Sequence, residues 1–514
     1  MRRLAATLAT TLTLASLAHA RAEDPRIALA SQAASVGGSD GPAARPAEKP
    51  AARTAGDEIP VSGNQAGSVE EQRTAARTKL TERLNVLASW CNDKELFLER
   101  DRVWRKILEI APDDPGARKG LRYARNVDGS WKDPAPREAK NRNLEALADL
   151  PAREEGVYAP YGDGLLALAR AADRSAAERD ALVAEIRAIA PNHAGLHEWL
   201  GDVQMGDRWV MPETATAKAR RGAIRAEAKR VMEAGAAIAT AAPEVEESAL
   251  GVTWKTVLQG ENVRVLSTGP EEEALRIARA CEGAGALLGF ALGTEVRYPG
   301  AYTLYVLTQP GEKEVFLAQL PGLADDERAR LSALEGTGIP RSNNVALFGQ
   351  DPARRVDAAV RHTIGNILGI SLGVSHKTAW AWEGLGQYLT RELVGTRLTW
   401  FVSEAADPTT AGLRGKLMTP ESNWFQEAFD LLSTGTAVPL EDLLRRDLDA
   451  FDVPGALTGY VWIAYLLEGQ PEATLEFVTR SAKGEDPAVI AREVLKRTPS
   501  ELQERLMQWL SERR

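Results

Sequence analysis

Arg361-His362-Thr363-Ile364-Gly365-Asn366 and Trp380-Ala381-Trp382-Glu383-Gly384-Leu385-Gly386-Gln387-Tyr388 are the stretches on which the reading of this 514-residue chain turns. Around the first, Val356, Ala359, Val360, Ile364, Ile367 and Leu368 recur at spacings of three and four, which predicts a helix with a buried face. The second runs on through Leu389 and Leu393 as another buried helix. One helix carries His362 and the next carries Glu383. The chain has only five histidines (His19, His193, His197, His362 and His376), so histidine chemistry has few places to reside.

Upstream of this pair the pattern is mixed. Asn262–Ser267 alternates and predicts a strand. Glu271–Leu292 predicts a helix, Tyr302–Leu307 a second strand, Glu314–Leu320 a short helix and Asn344–Phe348 a third strand. Everything after residue 353 reads as helical. A small sheet followed by many helices is an α+β organisation. Gly283-Ala-Gly285-Ala-Leu-Leu-Gly289 is glycine-rich but falls inside a predicted helix, not after a strand, so it is a poor dinucleotide motif. At the C-terminus, Thr498-Pro-Ser-Glu501 has the form of a capping box, and Leu502, Leu506, Trp509 and Leu510 follow as one apolar stripe.

The layout from roughly Val252 to the C-terminus resembles the gluzincin (peptidase MA-like) metallopeptidases. These have a His-Glu-x-x-His helix, then a downstream helix opening with Glu-Gly, and a Tyr one turn on. The late segment with Tyr460 and Trp462 fits the same layout, as do the secreted peptidase-like domains that follow tetratricopeptide hairpins. The family's chemistry uses two imidazoles four residues apart and a carboxylate from the next helix to hold Zn²⁺, with one position open for water. A glutamate beside the first His takes the water's proton. The resemblance puts His362 at the first ligand and Glu383 at the third. Thr363 stands where the base belongs and cannot ionise usefully. Asn366 stands where the second His belongs, and an amide is a poor zinc ligand. Tyr388 matches the downstream Tyr.

The resemblance therefore implies a degenerate site at His362, Thr363, Asn366, Glu383 and Tyr388, with no catalytic residue and no cofactor. His362 and Glu383 remain as weak metal candidates, with His376 in the connecting loop as a remote third. A buried His362 bonded to Glu383, in a fold without peptidase ancestry, is the plainer alternative. No second His-Glu-x-x-His, no Gly-x-Ser-x-Gly elbow and no reactive-Cys context occurs elsewhere.

The middle of the chain repeats itself. Ile110-Ala-Pro-Asp-Asp-Pro-Gly leads on to Asp128-Gly-Ser-Trp131, and Ile189-Ala-Pro-Asn-His-Ala-Gly leads on to Gly206-Asp-Arg-Trp209. Each Ile-Ala-Pro closes an amphipathic helix (Leu98, Trp104, Ile107, Leu108; Leu182, Val183, Ile186, Ile189). A second helix is expected over Ala117–Arg125 and over Leu196–Gln204, with the tryptophan docking back on the hairpin. Such units resemble tetratricopeptide hairpins with insertions. His193 and His197 have metal-pair spacing, but the first copy has Asp114 and Arg118 there, so they read as turn and surface residues. Lys218, Arg220, Arg221, Arg225, Lys229 and Arg230 read as a solvated helix face.

Arg2 and Arg3, an apolar run to Leu17 and Ala18-His19-Ala20 have the form of an export signal. No stretch is long and apolar enough to predict a transmembrane helix. Residues 21–75 are rich in Ala, Pro, Gly and Ser, and the first aromatic in the chain is Trp90, so they read as a disordered linker. A net charge of −9 argues against nucleic acid as a partner. Two cysteines, Cys91 and Cys281, exclude a disulfide scaffold or a Cys-based zinc cluster.

The expected fold is mostly α with an α+β C-terminal domain: signal peptide 1–20, linker 21–75, helical hairpins 76–245 and peptidase-like domain 250–514. The expected function is that of an exported (periplasmic or secreted) pseudopeptidase that binds protein or peptide or serves as an envelope scaffold. The alternative is an active secreted zinc metallopeptidase with an atypical metal site.

Overall fold

The computed structural model describes residues 68–513 except 133, 135–138, 172, 207, 235–236, 301, 335, 341, 402–410 and 420. The signal segment and the linker up to residue 67 lie outside the described residues. The end of the expected linker, however, is helical. Ser68 and Glu71 form a reciprocal capping box that starts the helix Val69–Asp93. Its buried side chains, Leu80, Leu84, Leu87, Ala88 and Cys91, begin one turn beyond the expected boundary. A local cap therefore carries the helix outward past its first buried contact.

The first core is built by helices Val69–Asp93, Phe97–Ile110, Leu150–Arg170 and Ala176–Ile189. Both sequence repeats take the same form here. A long helix ends at Ile110 or Ile189, a proline turn follows, and then a short helix, Pro115–Gly120 or Ala194–Leu200. These short helices stop five and four residues before the expected ends, because the chain turns into a β-hairpin. The hairpins are β1 (Ala124–Arg125) with β2 (Trp131–Lys132), and β3 (Val203–Met205) with β4 (Arg208–Val210). Both tryptophans dock back: Trp131 Nε1 donates to Asp113, and Trp209 stacks on His197 at 4.8 Å.

His193 and His197 are buried, not surface residues, and both serve the second repeat. His193 is the N-cap that accepts from the Leu196 N–H at 3.0 Å, the role of Asp114 in the first copy. His197 spends both ring nitrogens, on Asp202 (2.7 Å) and the Pro191 carbonyl (2.7 Å).

The second core begins at Met211, earlier than the expected boundary near 250. Helix Pro212–Ala234 contributes Ala217, Ile224, Ala228 and Val231 to it. The basic face of that helix is partly tied down. Arg220 donates to the carbonyls of Phe290 and Ala291 that end a neighbouring helix, Arg225 pairs with Glu392, and Arg221 lies 3.8 Å from Glu468. Lys229 and Arg230 keep the solvated character expected of them, pairing only along their own helix.

Six strands form the main sheet: β5 (Ala239–Thr240), β6 (Thr256–Gln259), β7 (Arg264–Ser267), β8 (Thr303–Val306), β9 (Gly336–Gly338) and β10 (Val345–Leu347). Their order is β5-β6-β7-β8-β10-β9, with β7, β8 and β10 parallel. Both faces are covered, as parallel strands require. Val265, Leu304, Val306, Val345 and Leu347 face helices Glu271–Leu292 and Pro352–Leu372. Leu266, Tyr305 and Ala346 face Phe316 and Leu331 on two short helices. Gly283, Gly285 and Gly289 lie within the first of these long helices, as predicted, with no role as a phosphate loop. Cys91 and Cys281 are free and sit in different cores.

From Pro352 onward the described chain is helical apart from its turns. Asp351 caps the helix Pro352–Leu372, and Gly373 ends it at φ 68°, a conformation glycine adopts without strain. A 3-10 turn over His376–Thr378 leads into Ala379–Val394. That helix packs on the almost wholly buried helix Val453–Gly469. The final helix, Pro499–Glu512, has the predicted capping box and buries Leu502, Leu506, Trp509 and Leu510.

Candidate functional site

Helix Pro352–Leu372 has three faces. Val356, Ala359, Val360, Thr363 and Ile367 turn to the sheet and to helix Glu271–Leu292. Asp357, Arg361 and Gly365, four residues apart, turn to the Glu383 helix and the segment that follows it. His362 and Asn366 lie on the third, half-buried face. Successive residues are about 100° apart on a helix, so Arg361 and not His362 addresses Glu383.

Arg361 and Glu383 are both 0% exposed, and Arg361 Nη2 lies 2.9 Å from Glu383 Oε2. The other carboxylate oxygen accepts the Phe401 N–H at 3.1 Å. The guanidinium carbon sits 4.8 Å from the centre of the Phe401 ring, a cation–π contact. Gly386 makes room for it: a Cβ at that position would fall on the guanidinium. The returning segment is held from below. Asp357 accepts from the Leu398 and Thr399 N–H groups (3.0 and 2.8 Å) and from Thr396 Oγ1 (2.7 Å), and Gln387 donates to the Thr399 carbonyl.

The five positions singled out from sequence do not converge. His362 meets the edge of Phe401 at 4.9 Å. Burial, with the charge of Arg361 added, pushes its pKa down to about 4, so the ring is neutral at pH 7. Thr363 is fully buried, donates to the Ala359 carbonyl at 2.8 Å and bonds Tyr302 at 3.0 Å. Asn366 donates to the Asn343 carbonyl beside β10 at 3.2 Å. Tyr388 donates to Glu468 at 2.9 Å, and burial followed by that carboxylate raises its pKa well above the ordinary phenol value. His376 packs against Trp382 at 5.2 Å, and burial lowers its pKa. A bond between His362 and Glu383, the plainer alternative, does not form.

These residues do not fit a zinc ion. Glu383 Oε1 accepts the Phe401 N–H and Oε2 faces the Arg361 guanidinium, Asn366 donates to the Asn343 carbonyl, and a fixed cation occupies the space a metal would need. Among the described residues no group of three His, Cys, Asp or Glu is placed to hold a metal. Sequence reasoning missed Arg361, Asp357 and Phe401. The available signal was a pair of opposite charges four residues apart inside an otherwise apolar helix pattern.

Comparison with protein-family models, curated proteins and solved structures finds no match. Among the described residues no helix is long and apolar enough to cross a membrane.

Proposed function

We propose that this chain is an exported, non-catalytic protein with a peptidase-like helix pair, acting through protein or peptide binding. The observation that carries the non-catalytic part is the buried Arg361–Glu383 pair. A guanidinium supplies the positive charge that a metal would supply in the gluzincins, and it neither binds water in a reactive geometry nor lowers its pKa as zinc does. Binding is supported by the half-buried aromatic strip of His362, His376, Trp382 and Phe401, whose rings lie 4.9–6.5 Å apart in sequence of contact. Export rests on the Arg2/Arg3, apolar and Ala-x-Ala pattern.

Metal analysis and zinc calorimetry on the purified protein test the reading, together with a casein hydrolysis assay. Wild type is expected to hold no stoichiometric metal and to leave casein intact. Asn366→His is expected to leave zinc affinity unchanged, since position 366 does not face Glu383. Stoichiometric zinc, with hydrolysis abolished by Glu383→Gln, would establish the active-peptidase alternative instead.

A further inference from the structure

Further along the Glu383 helix lies a cavity of about 140 Å³ with an unusual lining. It is walled by Arg225, Arg391, Arg397 and Arg513 against a single lining carboxylate, Glu392. Glu392 is already paired with Arg225 at 3.2 Å, and Arg513 is paired with Glu468. Arg391 and Arg397 have no acidic partner among the described residues. Arg397 reaches only the Tyr460 hydroxyl and the Ser422 carbonyl, each at 3.4 Å. Burial holds its pKa below the ordinary value, as for a cation lacking a counter-ion.

The guanidinium groups are also fixed in direction. Arg397 lies 4.1 Å over the Trp424 ring and Arg513 lies 3.8 Å over the Phe425 ring. A stacked guanidinium offers its N–H edge as a planar fork, the geometry that matches phosphate and carboxylate oxygens. A hydroxyl adds to the lining. Ser422 Oγ lines the cavity, is buried and has no hydrogen-bond partner. The helix Trp424–Ser433 begins at this wall, capped by Asn423, so the positive end of its dipole adds to the same field. With Arg225 paired to Glu392 and Arg513 to Glu468, Arg391 and Arg397 leave two positive charges at the lining without a counter-ion.

We infer that this cavity, formed around Arg391, Arg397, Ser422 and Trp424, binds a phosphoryl dianion, either free phosphate or the phosphoryl group of a small phosphomonoester. Two uncompensated guanidinium groups match a dianion better than a single carboxylate. The volume, close to that of a cavity that accepts benzene, suits a group of this size. The inference does not depend on how the His362–Glu383 positions are read.

Calorimetric titration of the full chain at low ionic strength with inorganic phosphate, phenyl phosphate and acetate tests it. Phosphate is expected to bind saturably at one site, with acetate at least about tenfold weaker. Binding of phenyl phosphate as well would assign the site to the esterified group, and its failure to bind would assign it to the free ion. Arg397→Gln and Arg391→Gln should each weaken phosphate by about tenfold or more, the loss of one charge-assisted contact. Arg391 is half-exposed and unpaired, so its variant should fold as wild type even if the Arg397 variant does not, and near-UV circular dichroism checks both. Absence of saturable phosphate binding, acetate binding as tight as phosphate, or wild-type phosphate affinity in the folded variants would overturn the inference.

Discussion

Replacing Glu383 by Gln should be one of the most damaging conservative changes in this chain. The amide keeps the size of the side chain and can still accept the Phe401 N–H, so the change isolates charge. Arg361 would then be a fully buried cation facing no anion. Two unit charges about 4 Å apart attract by about 4 kcal/mol at an effective dielectric of about 20. Removing one member of a buried pair typically costs about 3–5 kcal/mol. The two figures agree. Arg361→Met should cost a similar amount, because it strands the carboxylate.

The double variant Arg361→Met/Glu383→Gln should recover part of the loss, since it leaves no buried charge without a partner. A coupling energy of about 2 kcal/mol or more is expected from the cycle. Urea unfolding followed by tryptophan fluorescence measures all four proteins, with and without a chelator. The chelator should change nothing, because the stabilising cation is covalently part of the chain. Single variants within about 1 kcal/mol of wild type, or a wild type destabilised by chelation, would refute the reasoning.

Two further outcomes are expected. His362 has a pKa near 4 in the fold, against an unfolded value of about 6.5. The unfolded state therefore takes up more protons in that window, and stability should fall as pH drops from about 6.5 to 4. The full difference is about 3 kcal/mol, which partial exposure reduces to about 1–2 kcal/mol; the slope should shrink by that amount in His362→Leu, with the smaller part due to buried His376 remaining. Trp509 is fully buried against Tyr465 and Phe425, so Trp509→Ala should cost about 3–5 kcal/mol, and a loss below about 1 kcal/mol in the same urea assay would place the last helix outside the core.

Much of the architecture was legible because it rests on local rules. Helix Glu271–Leu292 falls on its predicted bounds, and the strands near 264, 303 and 345 lose at most two residues at either end. The terminal capping box formed as written. What was not legible depended on tertiary neighbours. The helix Pro212–Ala234 reads as polar along one face, yet Met211, Ile224 and Val231 commit it to the second core. The short helices of the repeats end earlier than expected because cross-strand pairing in a hairpin takes Ala124 against its helix propensity, and takes Val203 with its strand propensity. His193 looked like a turn residue and is one, but the structure also buries it, as the cap that Asp114 provides in the first copy.

The candidate site shows the same division at finer scale. Spacing can say that His362 and Asn366 share a face, but only packing fixes which face meets the next helix. Here three features decide it together. Gly386 leaves the space that a guanidinium fills, Glu383 supplies the anion, and Asp357 anchors the segment that brings Phe401 over the pair. All three act through the stripe of Asp357, Arg361 and Gly365, one position out of phase with His362 and Asn366. Supplying a second histidine at 366 leaves that phase unchanged. A metal site on this helix pair would need a rotation of about one residue, roughly 100°, which would drive Thr363 away from Tyr302 and expose the apolar face now packed against the sheet. The buried ion pair and the sheet packing thus hold the helix in the same orientation, and that orientation, more than the loss of any one ligand, is what keeps His362 and Glu383 apart.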